Sequence, residues 1–347
     1  MSSSYDYLII GQGIAGTTLA IRLLDKGKSV LIVDENAPGS ASRVAAGFIH
    51  PVTGRRIVKT WLADIFIPSA HQFYSYLEIR SGKKFLHIMD SLEMVTDVKT
   101  ANDWNSRCSE IPDYVKRVSP NENRPALQAH TALYNVSKGG WLDLPNLLDH
   151  FRNKWISDGI LKNEKLNLED MIFDEEEVQW KSMRFKKAVW CQGAAGRNDG
   201  LWKQLPFDPA KGELLTIHIP GLPAEEIIVH GIFLIPLGND HFKVGSTYSW
   251  HEFTAETTEG ARIQLEEKIR KTIRLPFETV GQQAGIRPSV KGRRPLLGKH
   301  PDSPHCYIFN GLGSKGGSMA PWLSERMVEF LETGNRLPEE SDISRFL

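Results

Sequence analysis

The residues best spaced for chemistry stand near the start of the chain. Gly11, Gly13 and Gly16 form a Gly-x-Gly-x-x-Gly turn directly after the apolar run Tyr7-Leu8-Ile9-Ile10. A second apolar run, Val30-Leu31-Ile32-Val33, is closed by Asp34, about 20 residues beyond the glycines. Each glycine has its own task. Gly11 permits a sharp exit from a strand, Gly13 lets the backbone approach a pyrophosphate, and Gly16 lets the following helix pack closely on the sheet. The start of that helix offers unpaired N–H groups and the positive end of its dipole, which favour a phosphate. Asp34 suits the hydroxyls of an adenosine ribose and would repel a 2′-phosphate, which makes NADP a poor ligand. A glycine turn without a ligand would not require both strands, the helix and the acid in this order.

These residues need a strand–helix–strand unit to hold them. The pattern predicts a helix from about Ile14 to Lys26, ended at Gly27, with Leu19, Leu23 and Leu24 spaced to pack on the sheet. After Asp34 comes a loop of mostly small residues, Gly39 to Gly47, which permits close approach to a ligand. A longer helical pattern covers about Lys59 to Ile79. The middle of the chain reads as β-rich at His87–Asp97, Glu213–Ile219, Glu226–Leu237 and His241–Ser249. Asp143 and Pro145 mark a helix start, and that helix is expected to stop before Gly159. Ala188-Val189-Trp190 reads as a buried strand entering a small-residue turn. Tyr307 to Asn310 reads as a strand, Gly311 to Gly317 as a second glycine-rich loop, and the residues up to about Glu332 as a closing helix.

Composition sets the outer bounds. The chain has 347 residues, and its 42 Lys and Arg balance 42 Asp and Glu. A zero net charge gives no overall attraction to nucleic acid or to an anionic membrane. Local basic groups occur at Arg55, Arg56 and Lys59, at Lys181, Arg184, Lys186 and Lys187, and at Lys291, Arg293 and Arg294; each reads first as a solvated face. The cysteines, Cys108, Cys191 and Cys306, have no metal-ligand or redox spacing and suit a reducing compartment. Neither a secretory signal nor a membrane-spanning run is visible, so a cytoplasmic protein without a metal site or a membrane partner is expected. No internal repeat is present.

Taken in order, these motifs resemble the D-amino-acid-oxidase-like FAD-dependent oxidoreductases over nearly the whole chain. Gly11, Gly13, Gly16 and Asp34 match the family's FAD start. Ala41-Ser42-Arg43 through Gly47 to Pro51 matches its loop beside the flavin. Trp190-Cys191-Gln192-Gly193-Ala194 matches its strand-turn, with Cys191 and Gln192 as departures. Ala284-Gly285-Ile286-Arg287-Pro288 and Pro295-Leu296-Leu297-Gly298 match its glycine-x-arginine-proline strand and the segment after it. Gly311 to Pro321 matches its closing flavin loop. The likeness is greatest to glycine oxidases and to the oxidase half of a bifunctional enzyme that modifies the wobble uridine of tRNA. It implies an α/β protein, with a discontinuous Rossmann-like FAD-binding domain at 1–84, 140–208 and 281–347. A mixed or antiparallel-sheet substrate domain would then occupy 85–139 and 209–280.

The resemblance also assigns roles. FAD contacts fall on Gly11, Gly13, Ile14, Ala15, Gly16, Asp34, Glu35, Ser42, Arg43, Ala46, Gly47, Gly193, Ala194, Gly313, Ser314, Lys315, Gly316 and Gly317. Lys315 and the loop N–H groups would lie at the flavin's pyrimidine edge, where negative charge gathers on reduction. Arg287 is expected to grip a substrate carboxylate through its paired N–H donors. Ser314 stands where glycine oxidases carry a second substrate-binding arginine. Lys243 falls where monomeric sarcosine oxidases place a lysine above the flavin. Trp61, Tyr248 and Trp250 are candidates for the pocket wall. The implied reaction removes a hydride from the carbon beside an amine nitrogen in an amino acid or carboxylate-bearing secondary amine. The sequence leaves as alternatives a tRNA-modifying oxidase, a non-catalytic flavoprotein subunit and an NAD-dependent dehydrogenase.

Overall fold

A computed structural model describes residues 3–53, 57–119 and 124–347. Arg55 and Arg56, named above as part of a basic group, lie outside the described residues.

The apolar runs become strands because their alternate residues feed two different cores. In β1 (Ser3–Ile10), Tyr7 and Ile9 point into one core while Leu8 and Ile10 point into the other. In β2 (Val30–Val33), Val30 and Ile32 share the first core, and Leu31 and Val33 share the second. A strand buried on both faces reads as a continuous apolar run, and that is the pattern of a parallel sheet. The strand Met183–Trp190 pairs parallel with β1, and Cys306–Asn310 pairs parallel with Met183–Trp190. Strand Leu161–Lys162 extends the sheet beyond β2, and the antiparallel strands Leu296–Lys299, Val178–Trp180 and Met171–Phe173 complete it. The first core lies under α1 (Ile14–Asp25) and the helices Ala63–Ser81, Leu144–Ser157 and Gly316–Thr333. Trp180, Trp190 and Trp202 fill the second.

The second sheet runs Glu278–Arg287, Ala210–His218, His241–Gly245, Phe233–Gly238, Ile227–Val229, Ser91–Val95, Ala132–Val136 and Val115–Arg117. Its pairs are antiparallel except Ile227–Val229 with Ser91–Val95, so the sheet is mixed. One face, with Leu215, Ile217, Leu234, Phe242 and Val244, packs on Leu265 and Ile269 of helix Glu259–Thr272. The other face, with Leu214, Ile227 and Ile235, packs on Val44, Ala46 and Trp141. This second contact lays the sheet over the small-residue loop that follows β2.

Strand Glu278–Arg287 belongs wholly to the second sheet, since Arg287 pairs with Ala210 and Glu278 with His218. The expected domain boundary at 281 therefore cuts a strand, and the chain leaves this sheet only after Arg287. Two helices, Val98–Glu110 and Glu259–Thr272, occupy stretches where the sequence reading placed none. Both are polar, but each has a cap: Asp97 accepts from the Thr100 N–H at 2.8 Å and Thr258 from the Ala261 N–H at 3.3 Å.

Candidate functional site

The glycine turn is shaped by the contacts it must allow. A Cβ on Gly16 would lie 1.9 Å from the Gly11 carbonyl oxygen, so only glycine lets α1 approach the end of β1. Gly11 itself has φ +104°, and a Cβ there would lie 2.6 Å from the Cys191 carbonyl. Ser42 Oγ accepts the Ile14 N–H at 3.0 Å and so caps α1 from the next loop. The N–H groups of Ala15 and Gly16, in the same turn, have no acceptor among the described residues.

Asp34 is fixed from three sides. Its Oδ2 accepts the Gln12 N–H at 2.8 Å; its Oδ1 accepts the Asn36 N–H at 2.8 Å and Arg152 Nη1 at 2.7 Å. An ionised carboxylate offers about four acceptor positions, which leaves room for a ligand hydroxyl. Arg152, 5% exposed, also holds Gln12 Oε1 at 3.0 Å and Asn163 Oδ1 at 2.5 Å. It locks the acid to the glycine turn and was not singled out in the sequence, because only the fold brings helix Leu144–Ser157 to this point.

The turn opens into a cavity of about 1790 Å³. Ordinary small-ligand pockets hold roughly 300–1,000 Å³, so this one has room for a dinucleotide and a substrate. Its wall includes Gly11, Gly13, Ile14, Ala15, Asp34, Glu35, Ser42, Arg43, Ala46, Gly47, Gly193, Ala194, Gly313, Ser314, Lys315, Gly316, Gly317 and Arg287. Gly16 stands behind the wall, in the helix–strand contact. The two glycine-rich loops thus face one space. The Gly313 N–H donates to the Pro288 carbonyl at 3.2 Å, tying the second loop to the residue after Arg287. Lys315 precedes helix Gly316–Thr333, and its Nζ donates to Thr60 Oγ1 at 3.0 Å. Burial pulls the Lys315 ammonium down to a pKa of about 8.

Arg287 is held entirely by neutral groups. Its Nη2 donates to Ser246 Oγ at 2.7 Å and to the Thr247 carbonyl at 3.2 Å; Nη1 donates to the Lys211 carbonyl at 3.3 Å. The guanidinium carbon lies 4.0 Å from the centroid of the Tyr248 ring. It also rests on Gly212, where a Cβ would lie 2.0 Å from Nη2. No acid pairs with it among the described residues, and burial pulls its pKa below the ordinary arginine range. Of its five N–H donors, two remain for a ligand.

The other expected residues divide. Tyr248 lines the cavity, whereas Trp61 and Trp250 do not. Trp61 packs on Phe66, and Trp250 stacks on Tyr248. Lys243 is also absent from the wall, although Gly245 of the same strand is part of it. Its Nζ is turned sideways to Gln283 Oε1, at 3.0 Å, and burial lowers its pKa. Arg43 lines the cavity while it pairs with Asp149. The described residues contain no cluster able to hold a metal, and no described helix is long and apolar enough to cross a membrane. Cys108, Cys191 and Cys306 are all free thiols.

Comparison with known proteins agrees with this geometry. Glycine oxidase of Geobacillus kaustophilus (strain HTA426) is 21% identical over 96% of this chain and 94% of its own length. A crystal structure of glycine oxidase from Geobacillus kaustophilus superposes with a TM-score of 0.84 at 20% identity, covering 99% of this chain and 98% of that one. Iminodiacetate oxidase from Chelativorans sp. BNC1 gives 0.81 at 20% identity, with 98% of each chain covered. The bifunctional protein of tRNA 5-methylaminomethyl-2-thiouridine biosynthesis from Marinobacter nauticus is 22% identical over 93% of this chain but only 54% of its own length. The two glycine loops, the held acid and the cavity fit FAD, and the family model described as "DAO: FAD dependent oxidoreductase" matches residues 6–330; the chain belongs to that family, an enzyme with FAD as its cofactor.

Proposed function

We propose that this oxidoreductase oxidises the C–N bond of an amino acid or carboxylate-bearing secondary amine. The observation that carries this reading is Arg287, a half-buried guanidinium on the cavity wall that keeps two free donors and pairs with no acid among the described residues. A buried cation without a counter-ion is costly, and an incoming carboxylate relieves that cost. Bound FAD supplies the two-electron acceptor. The substrate's α-carbon gives up its hydrogen with the bonding pair, the nitrogen lone pair closes a C=N bond, and the amine loses a proton to balance charge. Water then hydrolyses the imine to a carbonyl compound and an amine.

The residues of this chain divide that work. Arg287 fixes the carboxylate, and with it the α-carbon. Tyr248 and Gly212 hold the guanidinium plane in one orientation. Lys315, beside the N–H groups that begin helix Gly316–Thr333, offers positive charge at the second glycine loop. Glycine and iminodiacetate, the compounds in the names of the two structural neighbours, both carry a carboxylate one carbon from an amine nitrogen.

The test is anaerobic bleaching of the flavin by glycine, sarcosine, iminodiacetate, proline and D-amino acids. At least one should reduce it, and Arg287→Ala should lower the apparent second-order rate constant about 100-fold, the scale of two charge-assisted hydrogen bonds. Bleaching that is equally fast in Arg287→Ala would remove the proposed role of this residue.

A further inference from the structure

The cavity has a second polar end, away from Arg287. Glu93, Val229, Phe233 and Gly245 stand side by side on adjacent strands of the second sheet: Val229 pairs with Glu93 and with Phe233, and Phe233 pairs with Gly245. All four line the cavity. Alternation explains why Glu93 faces it, since Leu92 and Met94 on either side point into the core on the opposite face. Three strand spacings of about 4.8 Å put Glu93 roughly 14 Å along the sheet from Gly245. The residue after Gly245, Ser246, holds Arg287. Between the two ends the wall is apolar, with the Phe48 and Phe233 rings 5.5 Å apart.

At the far end Glu93 Oε1 lies 3.1 Å from His50 Nε2, and both side chains are largely buried, 13% and 12% exposed. His50 Nδ1 faces the Val52 carbonyl, which orients the ring. Its Nε2 lies against Oε1 without completing a hydrogen bond, so His50 limits where the carboxyl group can turn. Oε2 has no hydrogen-bond partner among the described residues.

We infer that Glu93, set against His50 at the far end of the cavity, is a specificity residue for an elongated substrate. Such a substrate places its carboxylate on Arg287, an apolar stretch against Phe48, Val229 and Phe233, and an N–H donor carried as an ammonium on Glu93 Oε2. Glycine itself is too short to touch both ends. The inference rests on the carboxylate role proposed for Arg287.

The test uses two probes of matched length on the FAD-loaded protein, N-butylglycine and N-(4-aminobutyl)glycine. Binding is read from the change in flavin absorption, and anaerobic flavin reduction is followed alongside. The wild type should bind the aminobutyl compound about tenfold more tightly, the worth of one charge-assisted hydrogen bond. Glu93→Ala should bring that ratio close to one, and Glu93→Gln, of nearly the same shape, should lower it. A wild-type ratio near one overturns the inference, as does a preference that survives unchanged in Glu93→Ala. The ratio is taken within each protein, so a variant that fails to fold leaves the wild-type ratio to decide. If both probes reduce the flavin with a ratio near one, the oxidation reading stands and the subsite falls. If the binding ratio holds but neither the probes nor any amine of the bleaching panel reduces the flavin, the subsite stands and the oxidation reading falls.

Discussion

At Arg287 the chain keeps a guanidinium among carbonyls, a hydroxyl and an aromatic face, with no acid paired to it among the described residues. Its residue type and the Pro288 that follows were visible in the sequence; the bed made by Gly212 and Tyr248 was not, because those residues come from two other segments. Lys315 shows the same division. Its place after Gly313 is a sequence fact, but its burial and its bond to Thr60 depend on the fold. Burial leads to a pH test on the protein without FAD. The folded pKa of Lys315 is about 8, against an ordinary value of 10.5. Below pH 8 the group is protonated whether the chain is folded or unfolded, and the burial cost is fully present. Between about 8 and 10.5 the unfolded chain binds the extra proton, so stability should rise with pH by at most about 1.4 kcal/mol per unit. Lys315→Met should lack that rise in urea unfolding followed from pH 7 to 10. Parallel pH profiles for wild type and variant would contradict the burial of this ammonium.

At the scale of elements, the apolar runs and glycine punctuation made the first sheet legible. β1, β2, α1 and the helix that Asp143 caps stand close to where the sequence pattern puts them. Helices Val98–Glu110 and Glu259–Thr272 were not legible, because each puts a narrow apolar stripe on a polar surface and sits beside strands that dominate the local pattern. The tightest joint is α1 against β1. Gly16→Ala would drive a methyl group toward the Gly11 carbonyl, from a Cβ position 1.9 Å away. The helix must then move off the strand, with an expected cost above about 3 kcal/mol and loss of tightly held FAD. Thermal unfolding and the ratio of flavin to protein absorption would check both. A second joint is the Arg152–Asp34 pair, a buried guanidinium on an acid that borders the cavity. Arg152→Ala removes this charge-assisted bond and should destabilise by about 1.5–3 kcal/mol in denaturant unfolding.

At the scale of the whole molecule, two sheets share one cavity. The first supplies the glycine turn and the closing loop; the second supplies Arg287 and Glu93, with Tyr248 just beyond its strand His241–Gly245. The sequence carried the first half well, since its motifs are local. It carried the second half weakly, since a pocket built from a row of strands depends on register. The surface bears on the likeness to the tRNA-modifying protein. Lys181, Arg184 and Lys186 pair with Glu164, Glu177 and Asp6, and Lys59 pairs with Asp64. Arg294 lies over the Trp61 ring. These cations are largely matched by acids of the same surface, so only weak, non-specific tRNA association is expected at physiological salt. A Kd well below about 10⁻⁶ M with a steep salt dependence would contradict that.

Selection of a carboxylate by Arg287, which presents the neighbouring carbon for oxidation, can be measured with one pair of substrates. The best amino acid from the bleaching panel and its methyl ester should be compared by anaerobic stopped-flow reduction of the flavin. The acid should reduce the wild-type protein about 100-fold more efficiently than the ester, and Arg287→Ala should erase most of that difference. Equal efficiency of acid and ester in the wild type would contradict it.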